Sequence, residues 1–492
     1  MNRKSKKRKS LIVNASLNGL QSVLNLIFPL ITFPYISRIL SVEGMGIYNF
    51  SNTYVGYFGM ISSLGIATYA VREGAKYRND KKEISNFSSQ IFTINIVSTL
   101  VAYICLFLSL LIFKNLTNYV SCILIFSLQI LFNTLGINWI YTIYEDYSYI
   151  TIRNILFKII SIILLFILVK KPTDYLVYAG ITVFANVGSN ILNFLHSKSL
   201  VNIKLVRKPK WKLHFSPIMV IFASTLAVNL YVFSDNLILG ILKNDYAVGI
   251  YGVSVKIYTV AQGLLTAILT VTIPRLAMLF GKKMKKEYHK VLSQVIDTLI
   301  VFSLPTAIGL MMMSKEVVLI IAGKKYLPSV TSLQIMSLAI VFSIFSWIFS
   351  DCVLIPAKRE KLLLHGTIIT AIFNIVLNFC LIPFWSYNAA ALTTVLSEFL
   401  AMILNGYYSR DIVIEIIRSK VTIRNFWSAI VGCVGIIFIC ILCRWSFQNV
   451  FVNTIMSIGL AVSMYIAILV LGKNTVLKYF LQKIKERCGK VR

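Results

Sequence analysis

Charged residues are scarce in this chain. Asp and Glu together number 18 among 492 residues, and charged residues of both signs make up only 14%. A soluble domain carries about 25% charged residues. The low charge and the 57% of hydrophobic residues exclude a soluble globular protein. Alternation of apolar and polar residues with a period of two is also absent, which excludes an outer-membrane barrel.

Signatures of soluble enzymes are missing as well. The sequence has no Walker A motif, no GxSxG, no GxGxxG after a strand and no Asp-x-Asp pair, so ATP hydrolysis and acyl transfer are not expected. Seven of the eight cysteines lie in apolar stretches, where Cys440 and Cys443 have CxxC spacing inside a predicted span, and the four histidines lie apart near the ends of apolar runs. A disulfide framework, a metal site and a cofactor are therefore not expected.

Apolar runs of about 20 residues, the length that spans the hydrocarbon of a bilayer, recur along the whole chain. They predict an all-α polytopic membrane protein with 14 transmembrane helices. The predicted spans are 11–36, 46–70, 85–113, 119–141, 154–169, 175–195, 216–239, 249–273, 291–313, 330–355, 362–383, 388–408, 426–443 and 451–471.

The formal net charge is +31, and its distribution follows the positive-inside rule. With a cytoplasmic amino terminus, the inner segments hold 38 Lys and Arg and the outer loops hold 9. This asymmetry predicts both termini in the cytoplasm and a multi-pass protein of the plasma (inner) membrane, and it explains the charge without nucleic acid. The apolar run that follows the basic residues 1–10 predicts a first transmembrane helix with a cytoplasmic amino terminus, not a cleaved leader.

A short internal repeat suggests how the spans are organised. GIYNFS at 46–51 is echoed by GIYGVS at 249–254, and at the same offset Arg72 falls on Arg275. The echo equates spans 1–6 with spans 7–12 in one orientation, an arrangement that transporters use. The predicted parts are a cytoplasmic amino terminus (1–10), a first lobe (11–197), a basic linker (198–215), a second lobe (216–409), spans 13 and 14 (410–471) and a basic cytoplasmic tail (472–492).

Several spans carry amide stripes at helical spacing. An amide facing lipid finds no hydrogen-bond partner, so the stripes must face protein or water. Two interpretations stay open: interhelical hydrogen bonds in a tight bundle, and the lining of a hydrophilic cavity shared by the two lobes. The cavity interpretation is favoured because the stripes occur in both halves. The residues are Asn14, Asn18, Gln21 and Asn25 in span 1, Asn186 and Asn190 in span 6, and Asn374 and Asn378 in span 11.

Charged residues inside spans are the candidates for chemistry. Each costs about 2.5–3.5 kcal/mol at the bilayer centre on insertion scales and by default marks a substrate or ion path. Lys256 and Lys158 are candidate ligands of an anionic substrate group. Asp235 and Glu398 are candidates for ion coupling.

Three arginines complete the candidate set for a phosphate group, which guanidinium groups match well. Arg38 follows Pro29 and Pro34, which are expected to kink or break span 1 and to swing the arginine inward. The alternative is an interfacial anchor. Arg72 and Arg275 lie at cytoplasmic helix ends, where the positive-inside rule alone also predicts positive charge.

Together these residues resemble a known family. PLITFPYISRIL at 29–40, GMGIYNF at 44–50 and LGIATYAVRE at 64–73 resemble the opening of Wzx-type oligosaccharide flippases, as do SDNLILG at 234–240 and VGIY at 248–251 further on. Members usually have a basic residue after the aspartate, where this chain has Asn236.

The resemblance implies the fold of the multidrug/oligosaccharidyl-lipid/polysaccharide exporter superfamily: two pseudo-symmetric six-helix lobes in a V, like the MATE and MurJ proteins, plus two carboxy-terminal helices. It implies a transporter, not an enzyme, that flips undecaprenyl-diphosphate-linked oligosaccharide to the outer leaflet by alternating access, for capsule, O-antigen or a related envelope polymer. Expected partners are that glycolipid, membrane lipids, a polysaccharide polymerase and a chain-length regulator.

Two other functions stay open. A cation-coupled multidrug exporter of the same superfamily would use carboxylates such as Asp235 and Glu398. A membrane polysaccharide polymerase is more remote, because the longest outer segment, 314–329, is short and holds four charged residues.

Overall fold

The computed structural model describes residues 28–479 and residue 482, and every regular element in that part of the chain is helical. The chain divides into two compact units, Met1–Leu237 and Ile238–Arg492. The division falls inside a helix, beyond the linker predicted from the sequence at 198–215. The domain boundaries drawn from the sequence stay predictions.

In the first unit, short polar residues and turn-forming residues set the helix limits. Ser41 caps α2 by accepting a hydrogen bond from the Gly44 amide, and Asp80 caps α4 in the same way. Leu64 and Gly65, both with positive φ, separate α2 from α3. The helices are α1 (28–39), α2 (Val42–Ser63), α3 (Ile66–Gly74), α4 (Lys81–Ile112), α5 (Val120–Gly136), α6 (Asn138–Ile143), α7 (Tyr147–Leu168), α8 (Tyr175–Val187), α9 (Asn190–Ser197) and α10 (Trp211–Leu242), the last of which crosses the division between the units.

The second unit follows the same rules. Asn244 caps α11, and a turn of π-helix at Ile348–Leu354 follows α14. Inside α15 the helix is broken at Ser386, where φ is 52° and ψ is −131°, three residues after Pro383. The helices are α11 (Asp245–Gly281), α12 (Lys285–Met312), α13 (Ser314–Ile321), α14 (Ser329–Trp347), α15 (Glu360–Tyr408), α16 (Arg410–Ile417), α17 (Lys420–Ser446) and α18 (Val450–Leu471).

These helices agree with the predicted membrane architecture. Among the described residues, 11 helices are long and apolar enough to cross a membrane. The break at Ser386 divides α15 into two stretches that correspond to predicted spans 11 and 12. Helix α10 corresponds to span 7, and the described part of span 1 is helical from residue 28. The all-α, multi-pass fold is confirmed, and the helices are consistent with a count of fourteen.

The sequence echo between the two halves has a structural counterpart. In the first unit, the Tyr48 hydroxyl on α2 lies 3.0 Å from Thr182 Oγ1 on α8. In the second unit, the Tyr251 hydroxyl on α11 lies 3.1 Å from Thr394 Oγ1 in the second stretch of α15. The two tyrosines are the matching positions of the repeat, and the two threonines lie in predicted spans 6 and 12. Each unit therefore repeats the same tyrosine–threonine contact, which supports an internal duplication.

Residues 201–210, named here the linker strap, run in extended form along α4 of the first unit. The amide groups of Asn202, Lys204 and Val206 donate hydrogen bonds of 3.1, 3.0 and 3.0 Å to hydroxyl oxygens of α4. The acceptors are Ser85, Ser89 and Thr93. Every second residue of an extended chain advances about 6.6 Å, and every fourth residue of a helix advances about 6 Å. The spacing of the strap amides therefore matches the spacing of the hydroxyl groups on α4.

Candidate functional site

The predicted cationic residues of the first unit lie in different surroundings. Lys158 is half-buried in the middle of α7, with Nζ 5.6 Å from the ring centroid of Phe28 on α1. That distance allows a cation–π interaction. Arg38 is exposed near the end of α1, and the helix continues through Pro34 to residue 39. The two prolines therefore do not break the described part of the helix, and the arginine is exposed; its role in binding the diphosphate stays a prediction.

The two arginines at predicted cytoplasmic ends are also exposed. Arg72 lies beside Glu73, with Nε 3.2 Å from the carboxylate, and its guanidinium carbon is 5.9 Å from the ring centroid of Tyr69. Arg275 lies in the last part of α11. The positive-inside rule alone explains an exposed arginine at a cytoplasmic helix end. The role of Arg72 and Arg275 in substrate binding therefore stays a prediction.

Lys256 differs from these arginines because it lies well inside a long apolar helix. It is half-buried on α11, about 16 Å along the axis from Asp245. On the same face, Gly252 is half-buried and Thr259 is exposed, whereas the adjoining Ser254 is buried and donates to the Ser329 carbonyl at 3.0 Å. The ammonium group is thus carried on the less buried face of the helix.

The asparagines of span 6 lie in different surroundings. Helix α8 ends at Val187 and α9 begins at Asn190, and the two residues between them keep right-handed helical dihedral angles. Asn186 is exposed, whereas Asn190 and Asn193 are buried. Asn193 donates to Asn138 Oδ1 on α6 and, at 3.4 Å, to Asn190 Oδ1.

Asn190 therefore belongs to a packed amide cluster, and its role in lining a cavity stays a prediction. Gly136 on α5 allows the Asn190 side chain to pack closely against it, because a Cβ atom at position 136 would lie 2.6 Å from the Asn190 carboxamide carbon. The cluster corresponds to the other interpretation of the stripe, hydrogen bonding between helices.

The two asparagines allow a direct comparison of buried and exposed amides. We expect Asn193→Ala to destabilise the protein by about 1–3 kcal/mol, because it leaves the Asn138 carboxamide without its donor. Asn186→Ala removes an exposed amide and is expected to change stability by less than about 0.5 kcal/mol. Thermal unfolding of both purified variants measures the difference, and equal stability losses would contradict the assignment.

The amides of span 11 are likewise enclosed within their own unit. Asn374 and Asn378 are both fully buried in the first stretch of α15. Asn378 donates to Asn374 Oδ1 at 3.0 Å and accepts from the Thr393 hydroxyl at 2.6 Å, across the break at Ser386. Their hydrogen bonds connect the two stretches of α15, and their role in lining a cavity stays a prediction. The span 1 residues Asn14, Asn18, Gln21 and Asn25 lie outside the described residues.

Both predicted ion-coupling carboxylates are buried. Asp235 on α10 is 7% exposed, and Glu398 on α15 is 9% exposed. A carboxylate buried among membrane helices is suited to bind a proton or a cation, and the role of both residues in coupling stays a prediction.

A groove of about 410 Å³ lies between α17 and α18, away from these candidates. Its lining is mostly apolar, with Arg424 and Trp427 near the start of α17. None of the residues predicted to bind substrate lines it.

Sequence reasoning missed the partners of the buried amides. Asn138, Thr393 and Tyr251 complete the hydrogen-bonded clusters. Asn138 follows Ile137, a residue with positive φ that forms a turn between α5 and α6. Hydrophobic periodicity does not predict such a turn, so it could not predict where the Asn138 side chain lies. The repeat could have identified Tyr251, because it occupies the position of Tyr48.

The fold and the buried polar groups define a class: a multi-pass α-helical membrane protein of two compact units, with ionisable residues inside its spans. Residues 11–280 match the family described as polysaccharide biosynthesis protein, and residues 220–380 match the MatE family. Because the first match covers more than half of the chain, the chain belongs to the polysaccharide biosynthesis protein family.

Relatives of known description agree with this assignment. The chain is 28% identical over 392 residues to a protein of Shigella dysenteriae described as an O-antigen transporter, with 77% of this chain and 95% of that protein covered. It is 25% identical over 391 residues to the capsular polysaccharide biosynthesis protein CapF of Staphylococcus aureus, covering 77% and 93%.

Solved structures agree on the fold. The lipid II flippase MurJ in its inward closed conformation matches with a TM-score of 0.75 at 16% identity, over 93% of this chain and 98% of MurJ. An inward-facing multidrug transporter of the MATE family matches with a TM-score of 0.61 at 12% identity, over 84% and 100%. The superfamily fold predicted from the sequence is confirmed.

Proposed function

We propose that this protein flips an undecaprenyl-diphosphate-linked oligosaccharide from the cytoplasmic to the outer leaflet of the plasma membrane, for capsule, O-antigen or a related polymer. The observation that carries the proposal is membership of the polysaccharide biosynthesis protein family, with relatives described as an O-antigen transporter and a capsular polysaccharide biosynthesis protein. The protein is a transporter, not an enzyme.

Moving a diphosphate across a membrane requires cationic groups inside the protein, and this chain has such groups. A diphosphate and several sugars cannot cross hydrocarbon unaided, because each unsatisfied polar group costs several kcal/mol. Lys256 and Lys158 are half-buried cations within apolar helices. We assign them to the diphosphate during transfer. Arg38, Arg72 and Arg275 are exposed and suit the entry and exit of the anion.

The mechanism proposed is alternating access, in which one half of the repeat rocks against the other. Asp235 and Glu398 would bind the coupling proton or cation. Transport in proteoliposomes that responds to neither a pH gradient nor a sodium gradient would remove this coupling role. We also place both termini in the cytoplasm and expect the flipped product to pass to a polymerase and its chain-length regulator.

Deletion of the gene tests the function in cells. Without the protein, surface polysaccharide is expected to disappear, and the lipid-linked repeat unit is expected to accumulate in the cytoplasmic leaflet. There a cytoplasmic glycosyltransferase can modify the repeat unit, whereas a glycosidase added outside the cell cannot. Expression of the intact chain should restore surface polymer. Unchanged surface polysaccharide in the deletion strain, with no second flippase gene present, would refute the proposal.

A multidrug exporter is the second candidate, because residues 220–380 match the MatE family and the fold matches a MATE transporter. Its test is the same deletion strain. Increased susceptibility to cationic drugs with intact envelope glycans would favour this function over the flippase.

A further inference from the structure

The linker strap and the start of α10 present an unusual surface on the first unit. Between residues 198 and 234 the sequence has no Asp or Glu, and its cations are Lys198, Lys204, Arg207, Lys208, Lys210 and Lys212. All six are exposed. Positive charge on this segment is therefore not balanced by carboxylates of the segment itself.

Large apolar side chains are exposed among these cations. Leu205 is 68% exposed, Leu213 59%, Phe215 45% and Trp211 38%. Exposed leucine and phenylalanine side chains in water are costly, and their mixture with lysines is typical of a surface that lies at a membrane interface. Trp and Tyr are preferred at the level of lipid headgroups.

The backbone of this surface is fixed in place. The hydroxyls of Ser85, Ser89 and Thr93 accept the three strap amides, and Gln90 Oε1 accepts the Lys210 amide at 3.2 Å. Val201 is fully buried against the core of the unit. The strap therefore holds its cations in an ordered row, and binding does not have to order a free loop.

We propose that the strap and the start of α10 form a binding surface for anionic phospholipid headgroups. The cations contact lipid phosphates, while Leu205, Trp211, Leu213 and Phe215 insert among the upper acyl chains. By the positive-inside rule this is the cytoplasmic leaflet, whose anionic lipids attract basic segments next to a span. The surface lies immediately before the apolar part of α10, so it meets the bilayer where that helix enters it.

The test uses the full chain in nanodiscs of phosphatidylcholine, with or without phosphatidylglycerol. The variant K204Q/R207Q/K208Q removes three cations of the surface. The control variant K114Q/K170Q/K171Q removes three exposed cations from predicted outer loops. The retained phosphatidylglycerol is counted by native mass spectrometry, and unfolding temperatures verify that all proteins are folded.

We expect K204Q/R207Q/K208Q to retain phosphatidylglycerol about a hundredfold more weakly than the intact chain, because each of the three cations contributes about fivefold near an anionic surface. The control variant should behave like the intact chain. Equal retention by the three proteins, or an equal loss in the control, would overturn the proposal. Tight binding of soluble polyphosphate in phosphatidylcholine nanodiscs would also overturn it, because the surface would then serve a soluble polyanion.

A second variant tests the strap itself. S89A/T93V leaves every cation in place but removes two of the hydroxyl acceptors, so the Lys204 and Val206 amides lose their partners. Hydrogen exchange of residues 201–210 should become faster, and phosphatidylglycerol retention should fall by several-fold. Faster exchange with unchanged retention would show that an ordered strap is not needed and would contradict that part of the proposal.

Discussion

Lys256→Ala is expected to lower export of surface polysaccharide by about ten- to a hundredfold, while the amount of protein in the membrane stays unchanged. Lys256 is a half-buried cation about 16 Å along α11 from Asp245. A charge-assisted hydrogen bond to the diphosphate contributes about 1.5–3 kcal/mol, which gives that range. Surface polymer is measured by immunoblotting against a membrane-fraction blot of the transporter.

Two variants control this experiment. Lys256→Arg keeps a cation that matches phosphate and should retain part of the activity. Lys282→Ala removes an exposed cation just after the end of the same helix and should leave export unchanged. If Lys256→Ala exports as well as the intact chain, the assignment of the diphosphate to this lysine fails.

Gly432→Leu is expected to abolish correct packing of the last two long helices. A Cβ atom at Gly432 on α17 would lie 2.5 Å from the Tyr465 ring on α18. Through this close approach, the Tyr465 hydroxyl reaches α12 and donates to the Val301 carbonyl at 2.7 Å. A leucine displaces the ring and breaks that bond, at a cost of about 1–3 kcal/mol for overpacking plus about 1 kcal/mol for the hydrogen bond. Thermal unfolding of the purified variant should occur at a clearly lower temperature.

The matched control is Gly459→Leu on α18, because a Cβ atom there meets no atom within 4 Å. It should fold and export like the intact chain, since leucine is a better helix former than glycine. Equal destabilisation of the two variants would show that the glycine–tyrosine contact does not hold these helices together.

The sequence was sufficient for the architecture because its main signal is the length of apolar runs. Lengths near 20 residues and the lysine and arginine asymmetry require only the bilayer as reference. The break in α15 at Ser386 also lies between residues 383 and 388, where the sequence predicts the boundary between spans 11 and 12. The repeat at Tyr48 and Tyr251 was readable because both copies keep the residue that makes the contact.

The site was less predictable because helical periodicity does not say what a polar face meets. Asn186 and Asn190 lie four residues apart and fit one stripe, yet Asn186 is exposed and Asn190 is buried against Gly136. Asn374 and Asn378 do share a face, but Thr393 from beyond the break covers it. Pro34 predicted a kink or a break in α1, and the helix continues through it without a break. Such outcomes depend on tertiary contacts that no local pattern contains.

Transport of the glycolipid itself by the purified chain tests the proposed flippase function most directly. Proteoliposomes are loaded with undecaprenyl-diphosphate-linked oligosaccharide, and the fraction of glycan that an impermeant glycosidase can cleave from outside is followed over time. The intact chain is expected to make the enclosed glycolipid accessible far faster than in protein-free vesicles, and Lys256→Ala is expected to do so about ten- to a hundredfold more slowly than the intact chain. Vesicles in which the intact chain moves cationic drugs but leaves the glycolipid on its original side would refute the proposed function.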